Sequence, residues 1–465
     1  MEIQRFYLGC LAHASYMISA KGEAAIIDPQ RDVGIYVTAA REAGLRIVWV
    51  IETHLHADFV SGHVELAHRT GATICMGPGS GADFDHREMH NGDSLPLGDC
   101  VLGFLETPGH TQESICISAT DPSKPAGPQA IFTGDTLFVG DVGRPDLSET
   151  LTPQQLAGLL YDSLHEKLLR LPDSTVVYPA HGAGSLCGKQ MSSDSSSTIG
   201  RERKGNYALQ ARSREEFTEL LTGDLPPRPA YFRDEVAKNR HGAADLGELP
   251  DPPKMRAAQF REAMQHESIV LDCRPPMDFA ASHIPGAVNV ALSGQFASWA
   301  ARVLGVGAKV LLVAEGPTPA SEARLRLARV GIENVVGVLD GGMVAWGEAG
   351  FASEFLPQIS PGELMSRMEA GEPGTILDVR ERGERADAGA IGDSSISIPL
   401  GELPTRYRDI PCDGLLFVHC KGGYRSSIAA SLLRRSGFGN AMNLTGGYDG
   451  WRIVMAAESM RSAGL

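Results

Sequence analysis

The chain has 465 residues, 43% hydrophobic and 21% charged, with a formal net charge of −15. At about 100–200 residues per domain this makes room for several globular domains with full cores. The acidic balance and the lack of a basic run exclude a general nucleic-acid binder, and no apolar stretch approaches the roughly 18 residues of a membrane span.

Residues 1–20 lack the pattern of a signal peptide. Cys10, Cys75, Cys100, Cys116, Cys187, Cys273, Cys412 and Cys420 are scattered, with no CxxC pair. Scattered thiols of this kind suit a reducing compartment, and a cytoplasmic protein is expected.

Over residues 1–222, short apolar runs alternate with turn residues. The patterns predict strands at 24–28, 47–52, 100–107, 115–118, 130–133 and 175–178, with helices at 33–43 and 153–171. That mixture indicates an α/β sandwich. Metal-ligating residue types sit where these strands end. The strand at 47–52 runs into THLHADFVSGH at 53–63, which carries His54, His56 and Asp58. TPGHT supplies His110, FTGDT supplies Asp135 and YPAHG supplies His181, each just past a strand. Strand ends let a rigid scaffold aim several side chains at one point. Any one of these histidines alone would read as an ordinary loop residue; the ordered set of four clusters reads as a metal site.

This set resembles the metallo-β-lactamase superfamily over about residues 5–220. In dinuclear members a second histidine follows the motif aspartate and ligates the second metal. Phe59 stands there in this chain, and an apolar ring cannot coordinate. One metal is therefore expected. Two imidazoles and a carboxylate with open positions are the pattern of non-haem Fe(II) oxygen chemistry, with His54, His110 and Asp135 as the triad and one Fe(II) per chain. GDVGRPDL at 140–147 and PAHGAGSLCGKQMSSDSSSTIGRER at 179–203 look more like persulfide dioxygenases fused to rhodaneses than like glyoxalase II or β-lactamases. The resemblance implies that His56 and Asp58 support the ligands rather than bind the metal, and that His181 is a remnant of the second site. Cys187 is either close to the substrate or a buried structural thiol. Arg144, Lys189, Arg201 and Arg203 are candidates to bind an anionic thiol carrier, against the plainer reading of solvated charges.

Pro-rich, polar stretches at 225–229 and 247–254 predict a domain boundary, with 223–254 a linker or an extension. An internal repeat follows. IVLDCR at 269–274 recurs as TILDVR at 375–380, KVLLVA at 309–314 as GLLFVH at 414–419, and LDGGMVAW at 339–346 as LTGGYDGW at 444–451, an offset of about 105 residues. A helix is expected after each second segment, at 320–330 and 426–436. Two copies of one α/β domain thus occupy about 255–355 and 358–465.

In the second copy VHCKGGYRSS at 418–427 ends a strand at His419 and starts a helix near Ser426. The loop between holds Cys420, Lys421, Gly422, Gly423, Tyr424 and Arg425. Backbone N–H groups and the helix N-terminus would form a nest that stabilises a thiolate or a persulfide sulfur on Cys420, with Arg425 adding positive charge. The loop of Cys420 through Arg425 resembles the rhodanese sulfurtransferases. Tyrosine and dual-specificity phosphatases use a loop one residue longer, because a phosphoryl group needs a wider cradle. The first copy has VAEGPTPAS at 313–321 in this place. Ala314 or Glu315 aligns with Cys420, and Pro317 and Pro319 remove backbone donors. That copy, which keeps HIPGA at 283–287, is expected to lack transferase activity and to act as a scaffold or docking module, with a ligand-binding role as the alternative.

The resemblance implies an enzyme that oxidises a low-molecular-weight thiol persulfide with O2 to sulfite and passes sulfane sulfur through Cys420, forming or using thiosulfate, in sulfide detoxification. Fusion raises the local concentration of the shared sulfur intermediate, to roughly the millimolar range. A homo-oligomer with no nucleic-acid or membrane partner is expected. One competing reading is a dinuclear zinc thioester hydrolase like glyoxalase II fused to a sulfurtransferase; another is a sulfur carrier or redox sensor with a vestigial metal domain.

Overall fold

The computed structural model describes residues 1–124, 127–223, 225–411 and 414–462; Cys412 lies outside them. The chain divides into two compact units, Met1–Pro250 with Ala328–Gly331, and Asp251–Leu327 with Ile332–Leu465.

The first unit is built on two six-stranded sheets. One holds β1 (Glu2–Leu8), β2 (His13–Ala20), β3 (Glu23–Ile27), β4 (Arg46–Ile51), β5 (Thr73–Met76) and β6 (Arg87–Glu88) in sequence order. The other holds β7 (Ser94–Leu97), β8 (Cys100–Glu106), β9 (Ile115–Thr120), β10 (Ala130–Gly134), β11 (Val176–Pro179) and β12 (Ser197–Thr198), again in order. Successive strand residues point to opposite faces, and the pattern uses both. Tyr16, Ile18 and Ile27 join Phe104, Ile117 and Phe132 in a core between the sheets. Met17, Ile26 and Val50 pack outward on Tyr36 and Leu66 of the helices Gly34–Glu42 and His63–Thr70. Ile131 and Val177 pack under Leu160, Leu164 and Phe217. The result is an αββα sandwich, each large core side chain contributing about 1.5–3 kcal/mol of apolar burial.

The sequence reading named β3, β4 and β8 to β11 but not the other strands of these sheets. β2 is buried on both faces along its whole length, so HASYMISA shows no alternation to detect. The segment 223–254 contains the helix Phe232–His241, and its described part through Pro250 belongs to the first unit. Its Pro-rich start reads as a linker, but Phe232, Glu235 and Asn239 bury one face of it.

The second unit contains two parallel five-stranded sheets. The first has β13 (Lys254–Met255), β14 (Ile269–Asp272), β15 (Val288–Asn289), β16 (Val310–Val313) and β17 (Val335–Leu339) in the order β13-β17-β16-β14-β15. The second has β18 (Gln358–Ile359), β19 (Gly374–Asp378), β20 (Ile396–Ser397), β21 (Leu415–His419) and β22 (Ala441–Leu444) in the order β18-β22-β21-β19-β20. The topology is therefore duplicated along with the sequence. So is the buried Asp-x-Arg pair that follows the first long strand of each copy. Arg274 Nε donates to both carboxylate oxygens of Asp272 at 2.9 and 3.1 Å, and Arg380 Nε to Asp378 at the same two distances.

Candidate functional site

The ends of β4, β10 and β11 and the β8–β9 connection bring His54, Asp135, His181 and His110 together. The donor atoms of His54, His110 and Asp135 lie within 4.8 Å of one another, and all three residues are buried. Asp135 Oδ2 is 3.3 Å from His110 Nε2 and 3.8 Å from His54 Nε2. The far nitrogen of each ring is already committed. His110 Nδ1 donates to the Arg144 carbonyl at 2.9 Å. His54 Nδ1 donates to Thr53 Oγ1 at 2.9 Å, and Thr53 Oγ1 donates to Asp28 at 3.0 Å. Both rings therefore present Nε2 as a lone pair, the arrangement in which a second partner orients a metal-binding histidine.

Electrostatics agree with that geometry. Burial holds both imidazoles below their ordinary pKa, so both are neutral. Burial alone would raise Asp135, but His181 and His110 hold it well below the usual carboxylate range. His110 Nε2 and Asp135 Oδ2 are buried without a hydrogen-bond partner. Orphaned donor atoms of this kind are costly unless a cation or water satisfies them, so the residues fit a metal ion.

His56 turns elsewhere. Its Nε2 lies 3.2 Å from Asp28 and 3.4 Å from Glu52. Burial would lower it, but these two carboxylates lift it to about 9, so it stands as a cation. Asp28, Glu52 and His56 form a second buried group of potential ligands. A third comprises Asp58, His181 and Cys187. In it His181 bridges two carboxylates, Asp58 at 2.9 Å and Asp135 at 2.8 Å, which raise it although burial acts the other way. Burial, with Asp58 and Asp135 nearby, pushes the Cys187 thiol well up. The fully buried ring of Phe59 fills the space between His13, at 4.2 Å, and His56, at 4.4 Å.

Several contributors are absent from the motifs. His13 is buried beside His56, Phe59 and His181. Asn239, from the helix Phe232–His241, donates to the carbonyls of His56 and Phe59 at 2.8 Å each and accepts from Ser61 N–H at 2.8 Å. It clamps the ligand loop from about 180 residues away in sequence, beyond the reach of any local pattern. The Arg144 guanidinium is held by Asp146 and by the carbonyls of Leu186 and Pro226; what Arg144 offers the site is its backbone carbonyl. Arg201 and Arg203 pair with Asp194 and Asp173, and Lys189 Nζ reaches the Leu221 carbonyl.

In the second unit β21 delivers Cys420 to a loop closed by the helix Tyr424–Arg435. Gly423 N–H donates to the Cys420 sulfur at 3.1 Å, and the Ser426 hydroxyl approaches it at 3.5 Å. Gly447 has φ +56°, and a Cβ there would meet the Cys420 and Lys421 carbonyls at 2.5 Å. Arg425 makes two contacts with Glu384, at 2.5 and 2.7 Å. Lys421, Gly422, Tyr424 and Arg425 line a cavity of about 360 Å³, and Gln295 and Trp299 of the first copy complete its wall. Tyr424 donates to the Ala291 carbonyl at 2.9 Å, and Ser427 to Asn289 at 2.8 Å. The first copy thus supplies part of the mouth and braces the helix of the second.

The superposition of features in the first copy places Ala314 opposite Cys420. Gly342, the counterpart of Gly447, packs on the Ala314 carbonyl. The two loops are equal in length, but Pro317 stands where Gly423 donates its N–H to the Cys420 sulfur. The first copy therefore lacks that donor as well as the sulfur.

With an αββα sandwich carrying a His–His–Asp site, followed by a duplicated cysteine-loop domain, the chain belongs to the metallo-β-lactamase superfamily, joined here to tandem rhodanese-like domains. The family models match at residues 8–181 for the metallo-beta-lactamase superfamily and at 256–349 and 360–453 for the rhodanese-like domain. Within that class it is similar to the mitochondrial persulfide dioxygenase ETHE1 of Bos taurus, 33% identical over 223 residues, covering 47% of this chain and 78% of that protein. A hydroxyacylglutathione hydrolase of Rhodospirillum rubrum is 30% identical over 244 residues, covering 51% and 85%. A crystal structure of a metallo-beta-lactamase from Staphylococcus aureus subsp. aureus COL matches at 30% identity with a TM-score of 0.65, covering 73% of this chain and 98% of that one. Among the described residues, no helix is long and apolar enough to cross a membrane.

Proposed function

We propose that the first unit oxidises a low-molecular-weight thiol persulfide with O2 at one Fe(II) held by His54, His110 and Asp135, and that the last domain transfers sulfane sulfur through Cys420. The balanced reactions are R–S–SH + O2 + H2O → R–SH + sulfite + 2H⁺, then R–S–SH + sulfite → R–SH + thiosulfate. The observation that carries this reading is the pair of neutral imidazoles, His54 and His110, converging on the Asp135 carboxylate, with His110 Nε2 and Asp135 Oδ2 lacking hydrogen-bond partners, while Phe59 occupies the second-metal ligand position. When bound, ferrous iron supplies O2 activation that no side chain can perform.

The chain's own groups do the rest. The Arg144 carbonyl and the Thr53–Asp28 chain hold the two imidazoles in one tautomer. The pairing of His56 with Asp28 and Glu52 and the bridge from His181 to Asp135 fix the carboxylate and the loop. Phe59 and its neighbours exclude water. In the transferase loop Cys420 attacks the outer sulfur of R–S–SH; the R–S⁻ leaving group takes up the proton, and the Cys420 persulfide gives that sulfur to sulfite. Gly423 N–H, Ser426 and Arg425 stabilise the sulfur anion in both steps.

Metal analysis of anaerobically purified protein, with oxygen uptake on a panel of persulfides, tests the reading. One iron per chain and persulfide-dependent oxygen uptake are expected. Two zinc ions per chain and oxygen-independent hydrolysis of acyl-glutathione would replace it with the hydrolase reading. Phe59→His should raise metal content above one per chain and lower oxygen uptake.

A further inference from the structure

The first unit takes in a short segment, Ala328–Gly331, that lies in sequence inside the first rhodanese-like copy, matched at 256–349. Arg329 of this segment reaches the metal-ligand loop in two ways. Its carbonyl accepts the Val60 N–H at 2.8 Å. Its guanidinium donates twice to Asp32, through Nε and Nη2, at 2.8 Å each. A forked pair of this kind fixes orientation as well as distance. The Arg329 side chain is 9% exposed and that of Asp32 20%, so the pair is shielded from the screening that weakens surface ion pairs. The segment is itself braced by the helix Phe232–His241. Lys238 Nζ donates to the Gly331 carbonyl at 3.4 Å, and a Cβ on Gly331 would meet the Glu235 carboxylate at 2.7 Å.

Asp32 and Val60 stand on two loops, residues 28–32 after β3 and 53–63 after β4. Asp28 accepts the Thr53 N–H at 2.7 Å, and Thr53 in turn bonds His54 Nδ1. The Pro29 carbonyl accepts the Gly62 N–H at 3.0 Å and the Ser61 hydroxyl at 2.9 Å. A Cβ on Gly62 would meet the Gln30 carbonyl at 2.4 Å, so the loops meet backbone to backbone. Arg329 ties one to the other. The turn it holds is the one that presents Phe59. The Phe59 carbonyl and the Ser61 N–H both bond Asn239, and the Val60 N–H between them bonds Arg329. These neighbouring backbone groups are thus satisfied from outside the loop, where leaving them unpaired would be costly.

We propose that Arg329 is a positioning residue for oxidation at the His54–His110–Asp135 site. By tying Asp32 to Val60 it holds the Phe59 turn and the Asp28–Thr53–His54 chain in the geometry that retains the metal. A segment inside the cysteine-less repeat thereby serves the first unit. The proposal rests on the dioxygenase reading for the reaction served, whereas the clamp itself does not depend on which metal is bound.

The test compares Arg329→Gln, Asp32→Asn, their double variant and Arg329→Lys with the wild type, as full-length, iron-loaded protein. It reads iron release to a ferrous chelator, kcat and KM for persulfide-dependent oxygen uptake, deuterium uptake over 53–63, and sulfur transfer through Cys420. Each single variant should release iron about tenfold faster and lose about tenfold in kcat, as for a group that orients a metal ligand, with KM changed less than about twofold. The double variant should match the singles, because both remove the same pair. Arg329→Lys should recover part of the loss, since it keeps the charge and drops the fork. Deuterium uptake should rise over 53–63 and stay at the wild-type level over β8, with sulfur transfer unchanged. Wild-type iron release and kcat in both single variants, additive losses in the double variant, or a loss confined to KM would overturn the proposal. Parallel loss of sulfur transfer and of β8 protection would overturn it too, because the pair would then hold the fold at large. If the wild type binds zinc and takes up no oxygen, while the variants still release that metal faster and loosen 53–63, the dioxygenase reading falls and the clamp stands.

Discussion

In the first rhodanese-like copy β16 runs into Ala314, and in the second β21 runs into Cys420. The frames around these residues are nearly interchangeable: the same sheet order, the same Asp-x-Arg pair, and the same glycine pair with φ of +73° and +57° in one copy and +72° and +56° in the other. The loops are not. The first offers an alanine and a helix that begins on a proline; the second offers a cysteine, a donor at Gly423 and an arginine anchored on Glu384. A fold can therefore keep its buried frame while its loop residues change, because the loop lies at a strand end and carries little of the core. The first copy still contributes: Trp299 and Gln295 line the cavity at Cys420.

The sharpest test exchanges the residues at the heads of the two loops. Cys420→Ser should lower sulfur transfer at least about 1,000-fold while leaving oxygen uptake largely intact. Ala314→Cys should not restore transfer in that background, since Pro317 and Pro319 remove backbone donors from the loop. Thiosulfate formation checks both, and activity of Ala314→Cys would break the comparison.

The frames should respond alike. Asp378→Asn and Asp272→Asn each leave a buried arginine uncompensated, at a cost of about 3–5 kcal/mol, with the larger loss at Asp378, because Arg380 is 1% exposed and Arg274 9%. Denaturation midpoints measure both. Burial alone would raise the Asp378 carboxyl, but its bond to Arg380 and the nearby His419 hold it below the usual range. Its contribution is therefore complete above the unfolded value of about 3.9 and is lost as pH falls through the lower folded value. Asp378→Asn should flatten that acid limb.

A smaller effect is expected from Glu384→Gln, which releases Arg425. Sulfur transfer should fall about tenfold, equivalent to one charge-assisted contact, mainly through KM for sulfite, with partial rescue by Glu384→Asp. The smallest comes from the wall lent by the first copy. Trp299→Ala should raise KM about threefold, as for a residue beside rather than within an energetic centre, without altering kcat.

Much of this was legible from local pattern. The repeat, the cysteine loop and the missing second-metal histidine are contiguous strings, and the strands that present them carry their own apolar runs. His54, His110 and Asp135 are marked by their place after those strands, and the structure brings their donor atoms together. Arg144 shows the limit. An arginine beside a metal motif reads as a substrate contact, yet its guanidinium is absorbed by Asp146 and two carbonyls.

Sequence alone determined which residue types stand at each strand end, because motif, turn and periodicity are written within a few residues of one another. Tertiary structure decided what surrounds them. It made the supposed linker a helix that holds the ligand loop through Asn239, paired His56 with Asp28 and Glu52, and set Trp299 beside a cysteine in another domain. Those contacts join residues far apart in the chain, and their energy comes from burial and charge pairing that exist only once the chain has folded.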